Sequence, residues 1–278
     1  MQLNIKSKTM NEHNINNVKV LTFKDWEKYE FMKHIFTTRK GGVSKGEFAE
    51  MNLSYTRGDD KHAVDINYKI IAQIMESDIA DFVCSDQTHT DNIKIVTGKD
   101  RGKGTVLPRD YTDVDGLLTN EEELVLGCFF ADCVPIYFMD PKKKVVGICH
   151  SGWRGTVKKI AVKMVQLMEK EFHSDIKDIH AAIGPSICKN CYEVSYDVYK
   201  EFKDLPYIEQ IITDKGNGKY LLDLWKANEC MLLYAGLSAK NIAVTDICTA
   251  CNSEILFSHR KTGGKRGNLG AFVKIRKS

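Results

Sequence analysis

The sequence predicts an α+β fold, one domain with a mixed sheet and helices packed outside it. Three observations lead there. Apolar runs of strand length alternate with stretches of helical spacing in no regular repeat. No linker rich in Pro, Gly and Ser divides the chain. The 278 residues suit one large domain or two modest ones, and they can bury a core without disulfide staples. Residues 1–19, polar and Asn-rich, read as an irregular lead-in, and residues 20–278 as the single domain.

Val20 to Phe23 and Phe31 to Thr38 read as strands, the second ending in Arg39-Lys40-Gly41-Gly42-Val43-Ser44. Two glycines there allow a turn, or a loop in which Arg39 meets an anion. Asn52 follows, a side chain suited to paired polar contacts. Val64, Ile66, Ile70, Ile71, Ile74 and Met75 give an amphipathic helix from about Ala63. Phe82–Cys84 and Ile93–Val96 are strands around a polar corner that holds His89. On pattern alone, a lone His at such a corner is a surface residue. Asp113-Val114-Asp115-Gly116 is a turn into a strand, with Asp115 as its cap.

The central stretch is Cys128 to Gly155. Apolar runs flank an Asp132-Cys133 pair, and a further run stops at Cys149-His150 before Ser151-Gly152-Trp153-Arg154-Gly155. An Asp and a thiol inside such runs are costly unless they are paired or bound. A single amphipathic helix is expected from Val157 to Phe172. Its free N–H groups, with Arg154, suit an anion. Ile179–Ile183 is a strand. Ser195 caps a helix ending near Phe202, residues 203–220 form a loop, and a helix runs from Leu224 to Ala235. Strands at Ile242–Ile247 and Leu269–Ile275 complete the chain.

Lys+Arg number 40 against 37 Asp+Glu, so charge gives no argument for nucleic acid or membrane. The tail after His259 is basic, and a subset of its cations could face a phosphate. The most apolar run, Leu124 to Met139, contains Asp132 and Pro135 and is too short to span a bilayer. No secretion signal opens the sequence, so a cytoplasmic protein is expected. Nine cysteines, an odd count, fit reduced thiols and metal ligands better than a disulfide framework.

His89, Cys133 and His150 offer imidazole and thiolate donors for zinc with one position open to water. The spacing matches no compact zinc motif. A rival makes Cys133 a nucleophile and His150 its base, and a third reading makes all three core packing. Cys188/Cys191 and Cys248/Cys251 are two Cys-x-x-Cys pairs. Together they would form a four-thiolate zinc site, but each sits between a buried strand and polar residues. The expectation is two separate coincidences near a substrate pocket. Gly263-Gly264-Lys265-Arg266-Gly267 lacks the strand–loop–helix setting of a P-loop, which excludes a nucleoside-triphosphatase reading.

The separated motifs, taken together, resemble the YfiH/laccase-domain family. They are Thr-Thr-Arg-Lys-Gly-Gly-Val-Ser (37–44), Asn-Leu-Ser (52–54), Gln-Thr-His (87–89), Asp-Val-Asp-Gly (113–116), Ala-Asp-Cys-Val-Pro (131–135) and His-Ser-Gly-Trp-Arg-Gly (150–155). Ile-Gly-Pro (183–185), Cys-Tyr-Glu-Val (191–194), Asp-Leu (223–224), Cys-Thr (248–249) and Phe-Ser-His-Arg (257–260) continue the set in order. One departure is Ser-His-Arg-Lys at 258–261, where many members carry a Tyr and a second Arg. The resemblance implies a single-domain mixed β-sheet sandwich with outer helices, related to the cytotoxic necrotizing factor deamidase. It implies zinc on His89, Cys133 and His150, a donor set that also accepts copper (Cu2+).

The implied reactions are phosphorolysis of adenosine and inosine, cleavage of methylthioadenosine and deamination of adenosine. The partners are thus a purine nucleoside and phosphate, with no nucleic acid and no membrane. In that scheme Asp132 or Glu193 moves a proton, Arg39 and Arg154 hold phosphate, and Asn52 and Asp115 bind ribose hydroxyls. Arg260 is a further substrate-binding candidate. Competing classes are an amidase that edits cell-wall precursors, a copper-dependent phenol oxidase and a non-enzymatic protein with structural zinc.

Overall fold

Strand-length apolar runs pair into two six-stranded sheets and a small third one. The computed structural model describes residues 5–277. In chain order the strands are β1 (Met10–Ile15), β2 (Val18–Phe23), β3 (Met32–Thr37), β4 (Phe82–Cys84), β5 (Ile93–Ile95), β6 (Gly116–Thr119), β7 (Val125–Phe130) and β8 (Val134–Asp140). Then come β9 (Val145–Ser151), β10 (His180–Ile183), β11 (Glu193–Ser195), β12 (Ile212–Gly216), β13 (Lys219–Leu222), β14 (Ile242–Val244) and β15 (Leu269–Ile275). The helices are α1 (Lys61–Met75), α2 (Trp153–Val157), α3 (Ile160–Phe172), α4 (Tyr196–Phe202), α5 (Ile208–Ile211), α6 (Leu224–Tyr234) and α7 (His259–Thr262).

One sheet has the order β1-β2-β3-β15-β7-β4 and the other β14-β10-β8-β9-β6-β5; β11-β13-β12 stands apart. Alternation along each strand sends residues to two cores. Tyr137 and Met139 of β8 meet Ala271 and Val273 of β15 between the sheets. Ile136 and Phe138 face outward onto Met164 and Val165 of α3 and Leu232 of α6. On the far side Phe272 meets Tyr68 and Ile71 of α1. The result is a four-layer sandwich, helix, sheet, sheet, helix, in which the central strands are buried on both faces. No helix among the described residues is long and apolar enough to cross a membrane.

Three expectations need correction. Within the expected irregular lead-in, Met10–Ile15 form an edge strand that pairs with β2. Asn16 and Asn17, both at positive φ, make the tight turn between them. This strand is polar because only its inner face is covered; Met1–Asn4 lie outside the described residues. The single helix from Val157 is two, broken where Lys159 takes a left-handed φ of 62°. The apolar spacing hides the break because both helices bury toward the same core. Residues 203–220 are not a plain loop: they carry α5, β12 and the start of β13, with the positive-φ residues Gly216, Asn217 and Gly218 as the turn.

Candidate metal centre

Strands β8 and β9 are antiparallel neighbours with Pro135 opposite His150 and Val134 opposite Ser151. Cys133, one residue before β8, therefore lies beside the end of β9. The corner after β4 brings in His89 from the side. Cys133 Sγ is 3.9 Å from His89 Nε2, and the His89 and His150 rings meet edge to face with centroids 4.9 Å apart. One donor atom from each of the three residues lies within 4.8 Å of the others. Gly152 makes the approach possible: a Cβ there would stand 3.1 Å from both Cys133 Sγ and His89 Cδ2.

Asp115 holds this corner together. It is fully buried. Its Oδ2 accepts from the amides of Thr88 (3.1 Å) and Thr90 (2.8 Å) and from the Thr90 hydroxyl (2.8 Å). Its Oδ1 accepts from the His89 amide at 3.1 Å and bonds His150 Nδ1 at 2.7 Å. Gln87 adds a clamp, bonding both the amide and the carbonyl of Phe129. His89 and Asp132 both have positive φ, 66° and 91°. Such conformations persist where surrounding bonds enforce them.

The charges follow. Burial opposes a thiolate at Cys133, but the charge of His150 and hydrogen bonds from His150 and His89 outweigh it, and the thiol is pulled down to about 6. Burial also opposes charge on His150, yet Cys133 and Asp115 raise it to about 9. Burial raises the Asp115 carboxyl, and the bonds to His150 and Thr90 more than offset that. With its Nδ1 on Asp115, His150 presents Nε2 toward Cys133, on the side where an ion would take the place of the shared proton. Two imidazoles and a thiolate, soft and borderline donors open to a cleft on one side, fit a divalent metal ion with an open position.

That cleft has a volume of about 620 Å³. His89, Cys133 and His150 lie on its lining with Tyr55, Phe129 and the cations Arg57, Arg109 and Arg266. Arg109 pairs with Asp86 at 3.1 Å. Arg266 is buried. Its Nη1 donates to Gly267 O at 3.2 Å and to Asn268 Oδ1. Its Nε has no hydrogen-bond partner among the described residues. Burial and the neighbouring Arg57 pull it down to about 10. The sequence gives no sign of Arg57, and it shows Arg266 as part of a basic tail and of a Gly-rich loop without the setting of a P-loop. The one available signal was a guanidinium in a Gly-rich loop before a buried strand.

The other sequence candidates are placed differently. Arg39 spends Nε and Nη1 on the carbonyls of Ala49 (2.6 Å) and Ser253 (3.1 Å) and stacks on Phe257, which makes it a loop brace. Asn52 is buried and bonds Ser54, Asp59 and Asn268, with no group left for a ribose. Asp115 is equally committed, to the corner just described. Asp132 accepts from Thr249 Oγ1 at 2.6 Å and from the Arg260 amide at 2.7 Å, so both its oxygens are occupied. Glu193 pairs with Lys215 in solvent. Arg260 donates to the carbonyls of Cys191 and Glu193, and Arg154 stacks on Trp153. The structure also overturns the separation of the two Cys-x-x-Cys pairs, because Cys188, Cys191, Cys248 and Cys251 converge.

A family model described as multi-copper polyphenol oxidoreductase laccase matches residues 33–276. The purine nucleoside phosphorylase YlmD of Bacillus subtilis (strain 168) is 37% identical over 248 residues, 87% of this chain and 88% of that protein. Adenosine deaminase RL5, from an unknown prokaryotic organism, is 32% identical over 250 residues, 87% of this chain and 95% of its own length. The crystal structure of the Bacillus licheniformis hypothetical protein YfiH superposes with a TM-score of 0.90 at 34% identity, covering 97% of this chain and 100% of that one. With a family match across nearly all of the sandwich and a shared fold from end to end, the chain belongs to the family described as multi-copper polyphenol oxidoreductase laccase.

Proposed function

We propose that this chain is a zinc-dependent purine nucleoside enzyme. It splits adenosine, inosine and methylthioadenosine with phosphate, giving the free base and a ribose 1-phosphate or its methylthio counterpart, and it deaminates adenosine. The observation that carries the reading is the open His89–Cys133–His150 donor set on the lining of a cleft that also holds arginines. Relatives named purine nucleoside phosphorylase and adenosine deaminase support it. The nine free cysteines suit a reducing compartment, in keeping with a cytoplasmic enzyme.

His89, Cys133 and His150 would hold the ion, and Asp115 fixes the two imidazoles. Zinc in such a site supplies Lewis acidity and makes water nucleophilic near neutral pH. Arg266, with its unpartnered Nε, and Arg57 beside it take the phosphate. In phosphorolysis a phosphate oxygen bonds the ribose C1′ as the bond to the purine nitrogen breaks and the base leaves. The arginines hold the attacking oxygen in line. Tyr55 and Phe129 offer aromatic faces to the base. Asp132 braces the Cys133 loop rather than moving protons.

The family description names several coppers. Among the described residues, the groups of three or more potential ligands are this two-His, one-Cys set and a four-Cys set. A multicopper cluster needs more imidazoles than these supply. The second reading, an amidase with Cys133 as nucleophile and His150 as base, is favoured by the depressed thiol and raised imidazole. Incubating zinc-loaded protein with adenosine, with and without phosphate, separates the two. Adenine and ribose 1-phosphate that appear only with phosphate, together with inosine in either case, support the proposal. An unchanged nucleoside under both conditions would reject it.

A further inference from the structure

Strands β10 and β14 are parallel neighbours, with Ile183 opposite Val244. Both therefore release their chains at the same end of the sheet, and each chain then makes a Cys-x-x-Cys turn. After β10, Cys188 leads into a tight turn closed by the Cys191 amide on Cys188 O at 3.0 Å. After β14, the Asn252 amide closes the corresponding turn on Cys248 O at 3.1 Å. The two loops are zipped together: the Ser186 amide donates to Ile247 O, and the Thr249 amide to Ser186 O at 3.0 Å. This zipper sets Cys188 against Cys248 and Cys191 against Cys251.

The four Sγ atoms all lie within 4.8 Å of one another. Cys191 Sγ and Cys251 Sγ are 3.5 Å apart, well beyond the roughly 2.05 Å of a disulfide bond. Four sulfurs each about 2.3 Å from a tetrahedral zinc stand roughly 3.8 Å from one another. The amides of Cys188 (3.3 Å) and Cys251 (3.4 Å) donate to Cys248 Sγ. Such N–H···S bonds stabilise a thiolate ligand from outside the coordination sphere. Ile187 and Ala250 are buried beside the cluster with Trp225 against them, so one side of it is dry.

We propose that Cys188, Cys191, Cys248 and Cys251 bind a second zinc ion in a closed four-thiolate site that staples the two loops. Four protein ligands leave no coordination position for water, so the site is structural. The staple bears on the first centre through one residue. Thr249, inside the second Cys-x-x-Cys turn, donates its hydroxyl to Asp132, the neighbour of Cys133. Arg260 ties the same parts together, with its amide on Asp132 and its guanidinium on Cys191 O. The inference does not depend on the reading of the first centre.

The test removes that first centre. A variant carrying His89→Ala, Cys133→Ala and His150→Ala is purified from zinc-supplemented cells, and its metal is counted by mass spectrometry. About one zinc per chain is expected, and adding Cys191→Ser or Cys251→Ser lowers it to under about a tenth. Cobalt added to the metal-stripped triple variant should give strong sulfur-to-cobalt charge-transfer bands and tetrahedral d–d bands. Wild-type protein, which needs no substitution to fold, should carry two zinc ions per chain, one of them lost in the triple variant. Metal-free triple variant whose four thiols react freely and give no cobalt–thiolate bands would overturn the proposal. A Cys191–Cys251 disulfide in freshly purified protein would do the same. A red iron–thiolate chromophore in place of zinc would overturn the choice of metal.

Discussion

Asp115 Oδ1 and His150 Nδ1 are 2.7 Å apart, and the same carboxylate oxygen accepts the backbone N–H of His89 at 3.1 Å. One buried side chain thus orients both candidate imidazoles, His150 through its ring and His89 through its backbone. Asp115→Asn keeps the shape but replaces the anion with a neutral amide. Zinc affinity, measured by competition with a chromophoric chelator, should fall by about 10–100-fold. Unchanged affinity would show that the hydrogen bond does not serve the metal.

Gly152 tests the geometry from another direction. Its φ of −68° suits alanine, so Gly152→Ala carries no backbone penalty. The new methyl meets Cys133 and His89 at 3.1 Å instead. Zinc binding should weaken, while the unfolding free energy shifts by no more than about 1 kcal/mol. A large stability loss with intact metal binding would place the constraint elsewhere.

In metal-free protein Cys133 should react with iodoacetamide well below the pH at which ordinary thiols do, with a midpoint at about 6. The cause is the imidazolium of His150, itself raised to about 9. The buried thiols of Cys84 and Cys128, pushed upward by burial, should stay unmodified while the fold is intact. Peptide mapping across pH reads both, and zinc should protect Cys133. A midpoint in the ordinary thiol range would reject the ion pair.

Arg266→Gln removes a buried cation from the cleft and leaves the metal donors untouched. Phosphorolysis should drop at least about 10-fold, mostly through a higher KM for phosphate, while deamination changes little. Equal loss in both reactions would reject the phosphate role.

His34 should make the fold acid-sensitive. Burial drives it down to about 4, and its Nε2 accepts the Phe23 amide at 2.9 Å, which requires the neutral ring. In the unfolded chain it titrates near 6.5. Between those values the unfolded state binds more protons, so the contribution is complete above about 6.5 and is lost as pH falls toward about 4. Urea unfolding should show a loss of about 2 kcal/mol by about pH 5 that His34→Asn abolishes. Identical pH dependence in both proteins would contradict this.

Much of the fold was legible in the sequence because α1 carries helical apolar spacing and β8, β9 and β15 are short apolar runs of strand length, buried on both faces. The break at Lys159 was not, since the apolar spacing runs straight across it. In the site, Cys133 and His150 stand out as polar residues ending buried runs, and β8–β9 pairing brings them together. His89 was a weak candidate from its surroundings, which read equally as a surface corner, and the family resemblance strengthened it, because a contact across a polar corner leaves no period. Arg39 looked like an anion ligand because nothing local shows that Ser253, far along the chain, supplies its acceptor. The two Cys-x-x-Cys turns looked unrelated for a similar reason. Their meeting depends on the parallel register of β10 and β14, which no local pattern encodes.

A crystal of zinc-loaded protein, measured on both sides of the zinc absorption edge, tests the centre most directly. An anomalous peak is predicted on the cleft lining, about 2.3 Å from Cys133 Sγ and about 2.0–2.1 Å from one nitrogen of each of His89 and His150, with a fourth side facing the cleft. A fully zinc-loaded crystal with no anomalous density among those three residues would contradict it.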